Sequence, residues 1–268
     1  MASVRSDDPA SLRRLLVPTE HGGWAFLGEP IVLGLLVAPS WAGACVALAT
    51  VAAFFARQPL KLFVPDRRRG KVYPRTHAAE RAFAVCAALG AAALAGALLL
   101  ARGPVLLAVG AAAPVAAVAL AFDLSRRSRD LGAELAGALA MGAAATAIAL
   151  AGGLERGPAF GLWGALAVRA FGTIAFVRAR LRLERGEPWS APAVAAWHAL
   201  TFATAWALAA ARVAPFTLVT AAVLLTARAA WGLSPWRPRL RTAMLGVTEI
   251  VAGLVVIALL VWGRASGR

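Results

Sequence analysis

Nine apolar stretches run through this chain, separated by short connections, and positive charge collects in every second connection. An α-helix needs about 20 apolar residues to cross the hydrocarbon core of a bilayer. The stretches fall at about 22–38, 41–60, 80–101, 104–122, 131–152, 158–177, 191–211, 213–230 and 241–263. Of the 28 Lys and Arg residues, 22 lie in the N-terminal segment and around the connections after the second, fourth, sixth and eighth stretches. Arg102, Arg156, Arg212, Arg264 and Arg268 fall on the other side, and Arg169 falls inside the sixth stretch. Lys and Arg are retained on the cytoplasmic side of a membrane. The pattern therefore predicts an all-α, polytopic membrane bundle of about nine transmembrane helices, N-terminus in and C-terminus out. Residues 1–21 read as a cytoplasmic segment, 22–263 as a single transmembrane domain and 264–268 as a short exoplasmic tail.

Composition excludes an ordinary soluble domain: 60% of residues are hydrophobic and the mean hydropathy is +0.72. The net charge of +15 follows from topology and faces anionic lipid headgroups. The basic connections lack interleaved aromatic residues, so nucleic acid is not an expected partner. Cys45 and Cys86 lie inside apolar stretches and read as small core residues. The first 21 residues contain no apolar run ahead of a small-residue cleavage site, so no cleavable signal peptide is read there. The exoplasmic connections are very short, whereas the longest cytoplasmic one spans about 61–79, which predicts a working face on the cytoplasmic side. Spans rich in Ala and Gly, such as 137–153, suit close packing in lipid, where no hydrophobic force draws helices together.

Charges inside membrane spans are rare and usually functional. Glu29, His198 and Glu249 each lie seven or eight residues into their spans, about 10–12 Å deep at the helical rise. Arg169 lies about 12 Å from the cytoplasmic end of its span, and Glu134 sits in the first turn of the fifth. Their common level predicts a polar chamber opening to the cytoplasm, with Glu29, His198 or Glu249 as a candidate base. A buried ion pair of Glu29 or Glu249 with Arg169, serving only to join helices, is the plainer alternative. Groups at one level do not make a stepwise ion path across the membrane.

Two cationic faces border that level. Arg57 and Lys61 are four residues apart, as are Arg178 and Arg182, so each pair shares a helical face. Guanidinium groups bind phosphate oxygens bidentately, and these residues, with Arg126 and Arg169, are the candidate anion-binding set. Ordinary solvated charge explains the same residues without a ligand. Asp130 is placed to cap the helix that follows it, and Asp123 to pair with Arg126 or Arg127 in its loop. The segment 17–30, VPTEHGGWAFLGEP, sets His21 and Glu20 beside two glycines at the mouth of the first span. His21 there is a candidate base or anion ligand. The spacing supports no metal site.

PTEHGGWAFL resembles the opening PxQHGAWA signature of the YwiC-like bacterial membrane proteins, with Glu20 where Gln is usual and Gly23 where Ala is usual. FGTIAFVRARLR (171–182), WHAL (197–200) and MLGVTEI (244–250) resemble later elements of that family. The resemblance runs over nearly the whole chain and implies a multi-pass protein of the bacterial cytoplasmic membrane. The architecture also looks like that of the UbiA-type intramembrane prenyltransferases. Those enzymes carry Asp-rich motifs after spans two and six, whose Mg²⁺ neutralises a prenyl diphosphate. At the matching positions this chain has RQPLKLFVPD and FVRARLRLERG, where only Asp66, Glu184 and Glu187 are acidic. FDLSRRSRDLG is similar to the basic loop after span four.

Three readings stand at this point. The first is a UbiA-like transferase on an isoprenoid or lipid-linked phosphate, with arginine in place of Mg²⁺. The second is a non-catalytic protein that binds an anionic lipid, a quinone or a haem-like ligand, or assists a membrane complex. The third is a transporter, against which the absence of a visible inverted repeat counts.

Overall fold

A computed structural model of the chain describes residues 23–238 and 240–267. Among them are nine helices and no strand. In order these are α1 (Gly23–Val37), α2 (Trp41–Arg68), α3 (Pro74–Leu100), α4 (Val105–Leu124), α5 (Leu131–Ala151), α6 (Arg156–Glu184), α7 (Ala191–Ala210), α8 (Thr217–Leu233) and α9 (Thr242–Ala265). Seven are long and apolar enough to cross a membrane, while α1 and α8 are apolar but shorter. The chain is thus a polytopic helical membrane protein.

The helices α5 and α6 form the middle of the bundle. Residues 142–151 of α5 are buried without interruption, and α5 packs against α1, α2, α4 and α6. Around it α2 pairs with α3, and α7, α8 and α9 close the side beyond α6. The helices α3 and α4 bury few residues, so most of their apolar surface faces lipid. A helix in lipid gains little by burying leucine and much by close approach of backbones. At the end away from the basic connections, that approach sets the packing. A Cβ on Gly161 would overlap the carbonyl of Val213, so glycine there lets α6 touch the turn before α8. The Thr217 hydroxyl donates to the Leu259 carbonyl at 2.7 Å, and the Arg102 N–H to that of Ala151 at 3.1 Å.

The helix ends at the basic side differ from the expectation. The connection expected at 61–79 is only 69–73, because α2 continues to Arg68 and α3 starts at Pro74. At about 42 Å, α2 exceeds the roughly 30 Å hydrocarbon core by about two turns. It tolerates Pro59 and Pro65, each of which removes one backbone donor. Asp66 fastens the turn: its carboxylate accepts from the Thr76 hydroxyl at 3.0 Å and from Arg75 at 3.4 Å, and Gly70 takes the positive φ of 64°. Likewise α6 runs to Glu184, past the expected end near 177. Arg180, buried, donates to the carbonyls of Gly232 and Pro238 and pairs with Glu184 at 2.8 Å. It ties α6 to the end of α8. Connection length therefore distinguishes the two ends far less than charge does.

Candidate functional site

One face of α6 carries Arg169, Gly172, Thr173 and Phe176, the i, i+3, i+4, i+7 spacing of a single helical stripe. That stripe faces α1, α7, α8 and α9, and it gathers the polar groups of the interior. Arg169 is 2% exposed. Its Nη2 donates to Glu29 Oε1 of α1 at 3.1 Å and to the backbone carbonyl of Glu249 of α9 at 2.7 Å. Its Nη1 donates to Thr173 and lies 3.7 Å from Glu249 Oε2, an ion pair beyond hydrogen-bond length. Glu249 Oε1 in turn accepts from Arg228 Nη1 of α8. The Arg228 guanidinium lies over the Phe176 ring, 4.5 Å from its centroid, a cation–π contact. His198 of α7 is 4% exposed, with Nδ1 3.4 Å from the Thr226 hydroxyl and its ring above Gly172.

The structure thus brings together Glu29, Arg169, His198 and Glu249. It adds Arg228, which the reading of the sequence counted among the connection charges. Arg228 lies five residues before the end of α8, about 7.5 Å inside, and that depth was the available signal. Glu134 does not join the cluster: it pairs with Arg178 at 3.0 Å on a partly exposed face. Glycine is required at 253, because a Cβ there would overlap the Glu29 carboxylate. Two carboxylates against two guanidinium groups leave the cluster with no net charge.

The cluster is not saturated. Among the described residues, the buried side-chain nitrogen and oxygen atoms without a hydrogen-bond partner are Arg169 Nε, Arg228 Nε and Nη2, His198 Nε2 and Glu249 Oε2. All belong to this one site. Beside Glu29, a slot between α1, α5 and α6 offers about 10 Å³, room for roughly one water. Arg228 keeps 22% of its side chain exposed and forms the open edge.

Of the candidate anion ligands, Arg169 belongs to this cluster, while Arg57, Lys61 and Arg178 lie elsewhere and are engaged with carboxylates. Arg57 Nη2 donates to Asp123 Oδ1 at 2.7 Å, and Lys61 Nζ lies 3.5 Å from the same atom. This replaces the expected pairing of Asp123 with Arg126 or Arg127. Arg127 instead pairs with Asp130 at 2.6 Å. Asp130 holds the N-cap position of α5, but its side chain makes no cap hydrogen bond. Arg126, with φ of 59°, and Arg182 are exposed. Arg178 is engaged by Glu134 and by the carbonyl of Arg129 at 3.1 Å. His21 lies outside the described residues.

The carboxylates at the two positions where the UbiA resemblance implies Mg²⁺ do not fit a metal. Asp66 is held by Thr76 and Arg75, and Glu184 by Arg180 and Arg237. Glu187 lies 3.8 Å from Arg185. No group of three or more His, Cys, Asp or Glu among the described residues is arranged to hold a metal ion. Cys45 and Cys86 are free and half-buried.

No curated protein and no solved structure matches the chain. Residues 17–149, the stretch that holds Glu29, Arg57, Lys61 and Asp123, match the YwiC-like protein family, and the chain belongs to that family.

Proposed function

We propose that this chain is a nine-span protein of the bacterial cytoplasmic membrane, with its N-terminus inside, that binds an amphiphile by an uncharged, hydrogen-bond-accepting head group at Arg169, Arg228 and His198. A quinone ring is the membrane-soluble head group of that chemistry. The observation that carries the reading is the set of five unpartnered buried atoms in one cluster. Each such atom costs about 1–3 kcal/mol when left without a partner. Four are nitrogens, and three of these are guanidinium donors. The site therefore calls for an acceptor. Because its charges cancel, a diphosphate carrying several negative charges beside Glu29 and Glu249 is disfavoured, while a carbonyl oxygen is not.

Binding without prenyl transfer is the reading these contacts support, because the carboxylates that would hold Mg²⁺ are already engaged. The close packing of α6, α8 and α9 around Gly161 and Thr217 leaves no opening between those helices at the opposite end, which counts against a transport path through the cluster.

Thermal denaturation of the purified protein tests this. A decyl-substituted benzoquinone is expected to raise the midpoint, while prenyl mono- and diphosphates leave it unchanged with or without Mg²⁺. His198→Phe keeps an aromatic ring, a slightly larger one, and removes both ring nitrogens, the unpartnered Nε2 among them. It should leave the ligand-free midpoint unchanged or higher and reduce the quinone shift. Stabilisation by a diphosphate only when Mg²⁺ is present would reverse the assignment in favour of the transferase.

Orientation follows from the charge asymmetry. A reporter fused after Gly70 should report the cytoplasm, and one fused after Gly153 the exoplasm. The opposite pair of signals would invert the topology.

A further inference from the structure

A second cavity lies away from the polar cluster. It is an open groove of about 590 Å³ at the end opposite the basic connections, lined by Leu35, Ser40, Trp41, Ala44, Leu100 and Arg102 among others. None of its lining residues is acidic. We propose that this groove is a binding site for one anionic phospholipid, with the phosphate on Arg102 and the first carbons of an acyl chain along Leu35 and Leu100.

Three observations select that occupant. The first is charge. Arg102 is exposed, and among the described residues its guanidinium makes no ion pair or hydrogen bond. Its stem is supported, since a Cβ placed on Gly153 would meet Arg102 Cβ at 3.3 Å. The stem thus packs at the rim while the guanidinium donors are free, and the guanidinium can bind a phosphate by two parallel N–H donors. The second is depth. Trp41 opens α2 and Leu100 closes α3, while Leu35 and Ala44 lie within about one turn of their helix ends, roughly 5 Å in. The groove therefore spans the level at which headgroups meet hydrocarbon. The third is the wall. Trp41 is 84% exposed and stands at the helix end, where an indole favours the membrane interface. Leu35, Ala44 and Leu100 supply apolar surface just below it. A cation above an apolar channel is the complement of a phosphodiester above an acyl chain.

Native mass spectrometry of the whole chain, delipidated in detergent, tests the site. The probes are phosphatidylglycerol, phosphatidylethanolamine and inorganic phosphate. Wild-type protein is expected to retain one phosphatidylglycerol in preference to phosphatidylethanolamine. Arg102→Gln should weaken retention about tenfold. Ala44→Leu, which narrows the groove without altering charge, should weaken it similarly. Both variants should keep the wild-type denaturation midpoint, since Arg102 is exposed and unpaired and Ala44 only half-buried. Retention of phosphatidylglycerol by both variants at the wild-type level would overturn the site. Equal binding of phosphatidylethanolamine would overturn the role of charge, and displacement of the lipid by inorganic phosphate would make the groove a soluble-anion site. These outcomes do not depend on what the polar cluster binds.

Discussion

Arg169→Met is expected to be the most damaging single substitution in this protein. It leaves Glu29 and Glu249 without the guanidinium that both carboxylates face. Removing one partner of a buried ion pair costs about 3–5 kcal/mol, because an uncompensated charge stays in low dielectric. The slot beside Glu29 has room for only about one water, so little solvent can relieve it. The thermal midpoint in detergent should fall sharply, and yield should fall with it. Adding Glu29→Gln and Glu249→Gln to Arg169→Met should restore much of the loss, because no carboxylate is then left in the cluster. Residues that share a network are not additive, and that recovery is its signature. A wild-type midpoint for Arg169→Met alone would mean that the carboxylates do not depend on Arg169. The restored triple variant would also serve the ligand experiment, since it should fold without presenting the Arg169 donors.

Gly253→Ala is the second large effect. The added methyl group would fall onto the Glu29 carboxylate and within 3.2 Å of Arg169 Nη2. Overpacking a closed site costs about 1–3 kcal/mol, and here the neighbours are charged groups already held in place from two other helices. The midpoint should drop, and contact between α1 and α9 should loosen. Gly253→Ala with Glu29→Ala should be less harmful than the sum of the two single changes, because the shorter side chain vacates the space that the methyl group needs. Strict additivity of the pair would contradict the close approach of Glu29 to the α9 backbone.

Both predictions concern residues whose depth was visible in the sequence and whose partners were not. Glu29, His198 and Glu249 could be set at one level by counting residues from a span end, because the helical rise is constant. Arg169 could be set there by the same count. Arg228 was misplaced because charge near a span end reads as connection, and nothing in a hydropathy window distinguishes a guanidinium turned inward from one turned to water. Asp123 was misassigned for a related reason. Local loop pairing with Arg126 or Arg127 is the short-range expectation, but Arg57 and Lys61 approach from α2, more than 60 residues earlier in the chain. The ends of α2 and α6 were missed because apolarity stops at the bilayer surface, whereas the backbone hydrogen-bond ladder continues into water.

Helix number, helix order and the charge difference between the two ends follow from the sequence alone. Each is set by the cost of moving one segment, or one charge, from water into lipid, and that cost is local to the segment. Which side chains meet is not local. The contact of Arg169 with Glu29 spans 140 residues. It depends on how each helix is rotated about its axis and how closely glycines such as Gly253 let two backbones approach. Those rotations are settled by packing among the nine described helices, so the polar cluster and the lipid groove exist only in the assembled bundle.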